Sequence, residues 1–180
     1  NHPGIDAKGI VRALLKNLKN ISANKRLEGA STITQQVAKN FLLTNEVSLN
    51  RKIKEAILAF RIEKAYTKKR ILELYLNEIY LGQGTYGVAS ASLEYFDKSV
   101  KELDYNEAAL LAALPKAPSK YNPYKDISLA KKRRDFVLRN LRENGYISSN
   151  EFKKFSEKKI NLNKRKISLT KEARSYTEEV

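Results

Sequence analysis

Apolar residues recur at helical spacing along most of this chain. In residues 7–18, Ile10, Leu14 and Leu18 follow one another at i, i+4 and i+8, which predicts an amphipathic helix. The same spacing predicts helices at about 51–66 and 68–80. Their predicted buried faces are Ile53, Ala56, Ile57 and Phe60 in the former, and Leu72, Leu76 and Ile79 in the latter. With no internal repeat and no convincing strand pair, the pattern predicts an all-α fold.

Capping signals divide this pattern into separate helices. Thr32 and Gln35 have the spacing of a capping box and predict a helix that runs to about Leu42. Further predicted starts are Ser48 or Asn50, Thr67, Asp104 with Glu107, and Ser148 with Glu151. A small-residue helix is predicted near 88–96, and the helix after Asp104 is predicted to stop at Pro115. The segment 128–145 is predicted to be one helix ended by Gly145.

Two segments interrupt the helical pattern. "GQGTYG", residues 82–87, has three glycines in six positions, which predicts a turn or loop with unusual backbone angles. From about residue 159 the chain is polar, lysine-rich and weakly periodic, as in a linker or the edge of a following domain.

The charge balance narrows the class of partner. The 180 residues include 35 Lys and Arg against 20 Asp and Glu, a formal net charge of +15. This favours an anionic partner: nucleic acid, a phospholipid surface or a phosphorylated substrate. The chain has no cysteine for a disulfide or thiolate metal site, and no run of 18 apolar residues that would span a membrane. It also has no methionine and begins "NHPGID", so we interpret it as an internal fragment.

Common catalytic motifs give no support to hydrolase or nucleotide-binding chemistry. His2 is the only histidine, so a Ser-His-Asp triad would have to use the extreme terminus. H-E-x-x-H and the G-x-x-x-x-G-K-[ST] phosphate loop are both absent. S-x-x-K, one of the motifs of a β-lactam-reactive serine site, occurs four times, which is expected by chance in a lysine-rich chain. Its usual companions, S-D-N and K-T-G, are missing, so the sequence does not indicate such a site.

Two helices carry groups that could perform chemistry. Arg51 and Lys52 lie four and three residues before Glu55, so the three side chains share one helix surface. They could form a solvated ion pair worth a few tenths of a kcal/mol, or a carboxylate and two cations in a cleft that handles a phosphate and a proton. Glu73 and Asn77, also four residues apart, could form a polar outer face or line a cleft.

A third helix carries a basic cluster, "KKRRDFVLRN", residues 131–140. We interpret it as a solvated helix face with Phe136, Val137 and Leu141 inward. No recognition-helix, RNP or zinc-finger pattern supports nucleic-acid recognition, and we expect no nucleic-acid partner.

Five motifs together resemble a known family. "HPGID", "GASTITQQ", "RKIKEAILAFRIEK", "KKRILELYLNEIYLG" and "KRRDFVL" occur in the order and spacing of the peptidoglycan glycosyltransferase domain, found in class A penicillin-binding proteins and monofunctional transglycosylases. The resemblance predicts this domain at residues 1–150, with a final helix and linker toward a transpeptidase domain at 151–180. It implies an all-α, lysozyme-like fold with a larger head and a smaller jaw that dips into the membrane surface.

The family resemblance also implies a reaction and a location. The expected substrates are lipid II, as acceptor, and the growing glycan strand, as donor, joined with inversion as the lipid pyrophosphate leaves. The expected place is the outer, periplasmic face of the bacterial cytoplasmic membrane, with an upstream transmembrane helix as anchor. Other cell-wall synthesis proteins are candidate partners. No cofactor is required, although a divalent cation, Mg or Mn, could accompany the pyrophosphate.

Matching motif by motif, the resemblance implies roles for individual residues. Glu55 is the catalytic residue, which organises the pyrophosphate end rather than taking the proton. The implied substrate-binding residues are Ser31, Thr32, Gln36, Lys39, Asn40, Arg51, Lys52 and Lys116. The residues implied to shape the cleft are His2, Glu73, Tyr75 and Asn77, and Arg133 and Arg134 are implied to be structural.

The chain departs from the family pattern in its first two motifs. The Glu-Asp pair of the first motif, whose glutamate is the expected general base, should precede His2, so we expect the fragment alone to be inactive. Ala30 stands where the family usually has a second glycine. Two other functions remain open at this point. A lysozyme-like glycan hydrolase would need a protonated acid but no cation cluster, and a basic helical nucleic-acid binder would leave "STITQQ" unexplained.

Overall fold

The structure is a computed structural model that describes residues 4, 6, 8, 9, 11, 12, 16, 30–41 and 48–163. Seven α-helices have defined bounds within them: α1 (Ile33–Phe41), α2 (Leu49–Ala65), α3 (Lys68–Glu78), α4 (Val88–Phe96), α5 (Tyr105–Ala113), α6 (Ile127–Glu143) and α7 (Ser149–Glu157). A hairpin of β1 (Tyr80–Gly82) and β2 (Thr85–Tyr86) follows α3, and 3-10 turns lie at Val100–Glu102 and Leu114–Lys116. The all-α fold class is confirmed. None of the helices in this part of the chain has the length and hydrophobicity to cross a bilayer.

The chain divides into two compact units, Asn1–Ile79 and Tyr80–Val180. In the first unit, α1 packs against both α2 and α3. Its buried core consists of Val37, Ala38, Ala59, Ile62 and Ile71. Of the predicted helix at 7–18, the described residues Lys8, Gly9, Val11, Arg12 and Lys16 are helical, whereas Ile10, Leu14 and Leu18 lie outside the described residues.

The helix starts of the first unit agree with the predicted caps. The Thr32 Oγ1 accepts from the Gln35 N–H at 3.1 Å, and the Gln35 Oε1 accepts from the Thr32 N–H at 2.9 Å, so the predicted capping box is confirmed. Ser48, rather than Asn50, caps α2 by accepting from the backbone N–H of Arg51. Thr67 caps α3 in the same way. Each cap satisfies a backbone donor that the first helical turn leaves without a partner.

The predicted buried face of α2 is wrong. Ile53, Ile57 and Phe60 are 52%, 52% and 42% exposed. The buried positions are instead Glu55, Ala59 and Ile62, on another side of the helix. The side that α1 covers carries a carboxylate and a small residue, which a search for large apolar side chains passes over.

The buried face predicted for α3 is also wrong. Leu72 and Leu76 are exposed and Ile79 is half-buried, whereas Ile71 is buried in the core. Leu74 and Tyr75, partly buried, pack against the same core. The inward side of α3 is therefore set by its contact with α1, and several apolar residues remain on the other side.

In the second unit, α6 packs against α5 and α7. Ala109, Leu138 and Ile147 are buried there, with Val137 and Leu141 partly buried beside them. The inward prediction is thus confirmed for Val137 and Leu141 and wrong for Phe136, which is exposed. Phe136 instead lies against the Arg133 guanidinium, 4.6 Å from the centre of its ring.

Arg134 is a fully buried cation on α6. Its guanidinium donates to the carbonyl oxygens of Ser156 and Lys158, at 2.9 and 2.7 Å, and to the side-chain oxygen of Asn106. It also pairs with the Asp135 carboxylate at 2.6 Å. These contacts join α5, α6 and the chain that leaves α7, so the geometry fits the structural role that was predicted for Arg134.

The boundaries predicted for the later helices are confirmed. Asp104 with Glu107 and Ser148 with Glu151 form complete capping boxes at the starts of α5 and α7. Partial burial alone would raise the pKa of the Asp104 carboxyl. The Lys158 ammonium and backbone N–H donors outweigh that effect and lower the pKa. Beyond Ala113 the chain continues through Pro115 as a 3-10 turn, and Gly145 follows α6 with φ +76°.

The glycine-rich segment after α3 is a hairpin. Tyr80 pairs with Tyr86 and Gly82 with Thr85 in antiparallel register. The predicted unusual angles are confirmed, since φ is +92° at Gly82, +53° at Gln83 and +71° at Gly84. The expectation of no strand pair is wrong, because strands of three and two residues are too short for alternation to be visible in the sequence.

Alanine at Gly82 is expected to destabilise the second unit more than alanine at Gly84. Both positions have positive φ, so both variants carry backbone strain. A Cβ at Gly82 would lie 2.8 Å from the hydroxyl oxygen of the buried Tyr95, whereas nothing lies within 4 Å of one at Gly84. We expect Gly82→Ala to lower the free energy of unfolding by about 1–3 kcal/mol more than Gly84→Ala. Urea denaturation measures both, and equal losses would contradict the close approach.

Candidate active site

The candidate site is built around Glu55, whose side chain is 1% exposed on α2. Arg51 lies one turn earlier, with Nε 3.2 Å from Glu55 Oε1. Lys52 Nζ lies 2.5 Å from Glu55 Oε2. This carboxylate is therefore not part of a solvated surface pair, and the handling of a phosphate by the cluster stays a prediction. Two positive charges against one negative charge leave the cluster with an excess charge that suits an anion.

The two cations differ in their access to solvent. The Arg51 side chain is 11% exposed and that of Lys52 is 51% exposed. Arg51 Nε and Glu55 Oε1 are both shielded from solvent and are close without a directed hydrogen bond. An ammonium has three donors, and Lys52 Nζ reaches Glu55 and the Ser31 hydroxyl oxygen, at 3.4 Å. Lys52 is thus placed to meet a ligand, whereas Arg51 is placed to hold Glu55.

The N-terminal end of α1 supplies the hydroxyl groups next to this cluster. Ser31 is exposed just before the helix. Thr32, half-buried, donates its hydroxyl to the Gly4 carbonyl oxygen at 2.6 Å and also caps α1. Because the first-turn N–H groups of a helix carry partial positive charge, this end favours anionic ligands in the same way as Lys52.

A cleft of about 500 Å³ opens in the first unit beside these hydroxyls. Ser31, Thr32 and Leu72 line it, together with two cations, Arg12 and Lys68. Neither cation was among the predicted site residues. Arg12 lies in a segment that was interpreted only as an amphipathic helix, and Lys68 stands in an ordinary first helical turn. No local pattern marks either one as lining a cleft.

Comparison of the sequence with known proteins assigns the chain to a family. The Transglycosylase family profile matches residues 1–142. The chain belongs to the transglycosylase family. Its relatives include penicillin-binding protein 1A of Rickettsia bellii, 54% identical over the whole transglycosylase chain, and that of Aquifex aeolicus, 51% identical over 91% of it. Penicillin-binding protein 1F of Bacillus subtilis is 45% identical over 97%.

A solved structure supports the fold of the transglycosylase chain. The crystal structure of penicillin-binding protein 1A from Haemophilus influenzae matches 82% of this chain at 31% identity, with a TM-score of 0.51. The match covers 20% of that protein. The transglycosylase chain likewise spans 23%, 22% and 24% of the Rickettsia, Aquifex and Bacillus relatives. The predicted boundary at residue 150 remains a prediction.

The remaining predicted residues of the transglycosylase lie in different surroundings. On α1, Gln36 is half-buried, and Lys39 and Asn40 are exposed near its C-terminal end. Lys116 is exposed in the second unit, in the turn Leu114–Lys116. His2 lies outside the described residues. The structure therefore joins Ser31, Lys52, Glu55 and Arg51 in one chain of contacts, and the functional roles of all the predicted site residues stay predictions.

The three predicted cleft-shaping residues on α3 are not equivalent. Tyr75 packs against the core of the first unit, and burial raises the pKa of its phenol. Glu73 is exposed and pairs with Arg70 at 2.7 Å, and this contact raises the pKa of the Arg70 guanidinium. Asn77 is exposed. Only Tyr75 among them is placed to support the interior of the unit.

The donor set near Glu55 does not suit a divalent cation. Both carboxylate oxygens of Glu55 already face a cationic side chain, and a metal ion there would be repelled by Arg51 and Lys52. Within the described part of the chain, no three acidic or histidine side chains are grouped as metal ligands.

Proposed function

We propose that this transglycosylase chain polymerises lipid II into β-1,4-linked glycan, with release of undecaprenyl pyrophosphate, in bacterial cell-wall synthesis. The observation that carries the proposal is the buried Glu55 held between Arg51 and Lys52, with the Ser31 hydroxyl beside Lys52. A polymerase that expels a diphosphate needs positive charge and hydrogen-bond donors where negative charge develops. This cluster supplies both.

The proposed step joins two lipid-linked sugars. The 4-hydroxyl oxygen of lipid II attacks the anomeric carbon of the growing strand, and the bond from that carbon to the diphosphate oxygen breaks with inversion. The bonding electron pair stays on the diphosphate. The hydroxyl proton passes to a general base, for which the family resemblance indicates a glutamate ahead of His2.

Lys52 and Ser31 act on the leaving group in this proposal. The Lys52 ammonium has donor capacity beyond Glu55 and Ser31, and it is half exposed, so a diphosphate oxygen can approach it. Charge-assisted hydrogen bonds to phosphate become stronger as the leaving oxygen gains charge. Lowering the energy of the departing diphosphate in this way speeds cleavage of the sugar–oxygen bond.

Glu55 fixes the position of both cations and does not itself take the proton. Gln36, Lys39 and Asn40 are proposed as further contacts to the sugars and phosphates, through amide and ammonium donors. Lys116 lies in the second unit, and its role stays what the family resemblance implies. The partners are proposed to be lipid II, the growing glycan and the membrane surface at the periplasmic face. The formal net charge of +15 on the chain favours binding to an anionic lipid surface.

A glycan hydrolase fits this site less well. Its general acid needs apolar surroundings that favour the protonated carboxyl, whereas Glu55 is engaged by two cations. Hydrolysis of an uncharged glycosidic bond also gives no role to Lys52 beside Ser31.

Substituting Lys52 tests the proposed contact to the leaving group. In the full-length protein supplied with lipid II, we expect Lys52→Met to lower the rate of glycan formation by about 10²-fold. Lys54→Met removes an exposed cation two positions along α2 and is the matched control, with an expected change of less than about twofold. Gel analysis of labelled glycan strands gives both rates. Equal rates in the two variants would remove the basis of the proposal.

A further inference from the structure

A second buried carboxylate on α2, that of Glu63, is not used by the proposed mechanism. Its side chain is 8% exposed. Oε1 accepts from the hydroxyl of the buried Thr34 at 2.5 Å, and Lys68 Nζ lies 2.6 Å from Oε2. A carboxylate shielded to this degree needs partners of this kind to offset its desolvation. Glu63 thus ties the first turn of α1 to the last turns of α2.

The Glu63 side chain also lies against Gly4. Gly4 has φ +89°, and a Cβ there would lie 2.8 Å from Glu63 Cγ and 3.0 Å from the Ala59 carbonyl oxygen. On its other side, the Gly4 carbonyl oxygen accepts from the Thr32 hydroxyl. Gly4 is therefore enclosed between α1 and α2, with Glu63 on one side and Thr32 on the other.

The position of Thr34 connects this network to the candidate active site. Thr34 lies three residues after Ser31 and two after Thr32, in the nine-residue helix α1. A displacement of this turn along α2 would carry the Ser31 hydroxyl away from Lys52 Nζ, where the contact is already 3.4 Å long. Two anchors then determine where α1 begins: Thr34 on Glu63, and Thr32 on Gly4.

We infer that Glu63 is a positioning residue for sugar transfer, acting through the Thr34 hydroxyl to keep Ser31 and Thr32 in register with Lys52. This inference rests on the proposed function. Glu63 is assigned no contact to the leaving group. Its effect on the reaction is carried by the placement of α1.

A pair of substitutions at Thr34 separates positioning from packing. Thr34→Val keeps the shape and removes only the hydroxyl, while Lys68 still pairs with Glu63. Thr34→Ser keeps the hydroxyl and removes a methyl group. In the full-length protein with lipid II, we expect Thr34→Val to lower kcat by about 10- to 100-fold with KM within about threefold. Thr34→Ser should keep kcat within about threefold of wild type, which is rescue by the conservative change.

Two further variants locate the effect at Glu63. Glu63→Gln keeps an acceptor for the Thr34 hydroxyl, so its kcat should stay above that of Glu63→Ala, which has none. Lys64→Gln changes the next, exposed side chain, which lies over Phe60 and outside the network, and it should behave as wild type. Thermal unfolding followed by circular dichroism reports the folded fraction of each variant at the assay temperature.

The outcomes distinguish this inference from the function on which it rests. Failure of the wild-type protein to polymerise lipid II would overturn the proposed function itself. If the wild type is active, the positioning role is overturned when Thr34→Val and Thr34→Ser have the same activity, whether both are active or both are impaired. That result would leave the proposed function standing. A loss of kcat in Thr34→Val that matches a loss of folded protein would also overturn the positioning role, since the hydroxyl would then serve stability alone.

Discussion

Replacing Glu55 with glutamine is expected to lower lipid II polymerisation by at least about 10²-fold in the full-length protein. Glutamine has nearly the same volume, so the change removes the negative charge while filling the same buried space. Arg51 and Lys52 would then repel each other across a neutral amide. The amide oxygen can still accept from Lys52, but without the negative charge it would hold the ammonium less firmly than the carboxylate at 2.5 Å does. The same change leaves a largely buried guanidinium without its carboxylate, which lowers stability as well.

Glu78→Gln is the matched control for this prediction. Glu78 ends α3 in the same unit and is exposed, so its amide should leave the polymerisation rate within about twofold of wild type. Initial rates with labelled lipid II, taken at a temperature where circular dichroism shows both variants folded, give the comparison. A folded Glu55→Gln protein with the wild-type rate would show that the buried charge has no part in the reaction.

Replacing Arg134 with methionine is expected to destabilise the second unit by about 3–5 kcal/mol. Methionine fills much of the space but cannot donate a hydrogen bond. The carbonyl oxygens of Ser156 and Lys158 and the side chain of Asn106 would each lose a charged donor. Of the two cations that pair with Asp135 in the described chain, Arg134 would be lost and Lys131, at 2.8 Å, would remain. The charged hydrogen bonds of a fully buried guanidinium, which methionine cannot replace, account for most of the expected loss.

The exposed Arg139 on the same helix provides the comparison. Arg139→Met removes the same charge from the surface and should change the free energy of unfolding by less than about 0.5 kcal/mol. Urea titration followed by circular dichroism measures both variants. If Arg134→Met cost no more than Arg139→Met, the buried contacts of Arg134 would not hold the end of α7 in place.

Helix starts were predictable from the sequence because they depend on residues three positions apart. The capping boxes at Thr32, Asp104 and Ser148 form within a single turn, whatever packs around them. Buried faces were not predictable in the same way. The face of α2 that α1 covers includes Glu55, a charged residue whose burial depends on the neighbouring Arg51 and Lys52. Hydrophobic periodicity counts Glu55 as a polar surface position, because it takes no account of neighbouring cations that stabilise a buried carboxylate.

The candidate site shows the same division between local and tertiary information. Spacing placed Arg51, Lys52 and Glu55 on one surface, but only the packing of α1 on α2 shows that the carboxylate is buried and that Ser31 meets Lys52. Glu63 lies in the same motif and carried no signal of its own. Its partner Thr34 is 29 residues away, a distance at which one sequence gives no pairing information.

The most direct test of the central claim is a crystal structure of the full-length protein with undecaprenyl pyrophosphate bound. We expect diphosphate oxygens at hydrogen-bonding distance, about 2.7–3.2 Å, from Lys52 Nζ and the Ser31 hydroxyl. Glu55 should remain in contact with Arg51 in that complex. A diphosphate bound elsewhere, with Lys52 and Ser31 facing only protein and solvent, would contradict the claim that this cluster holds the leaving group.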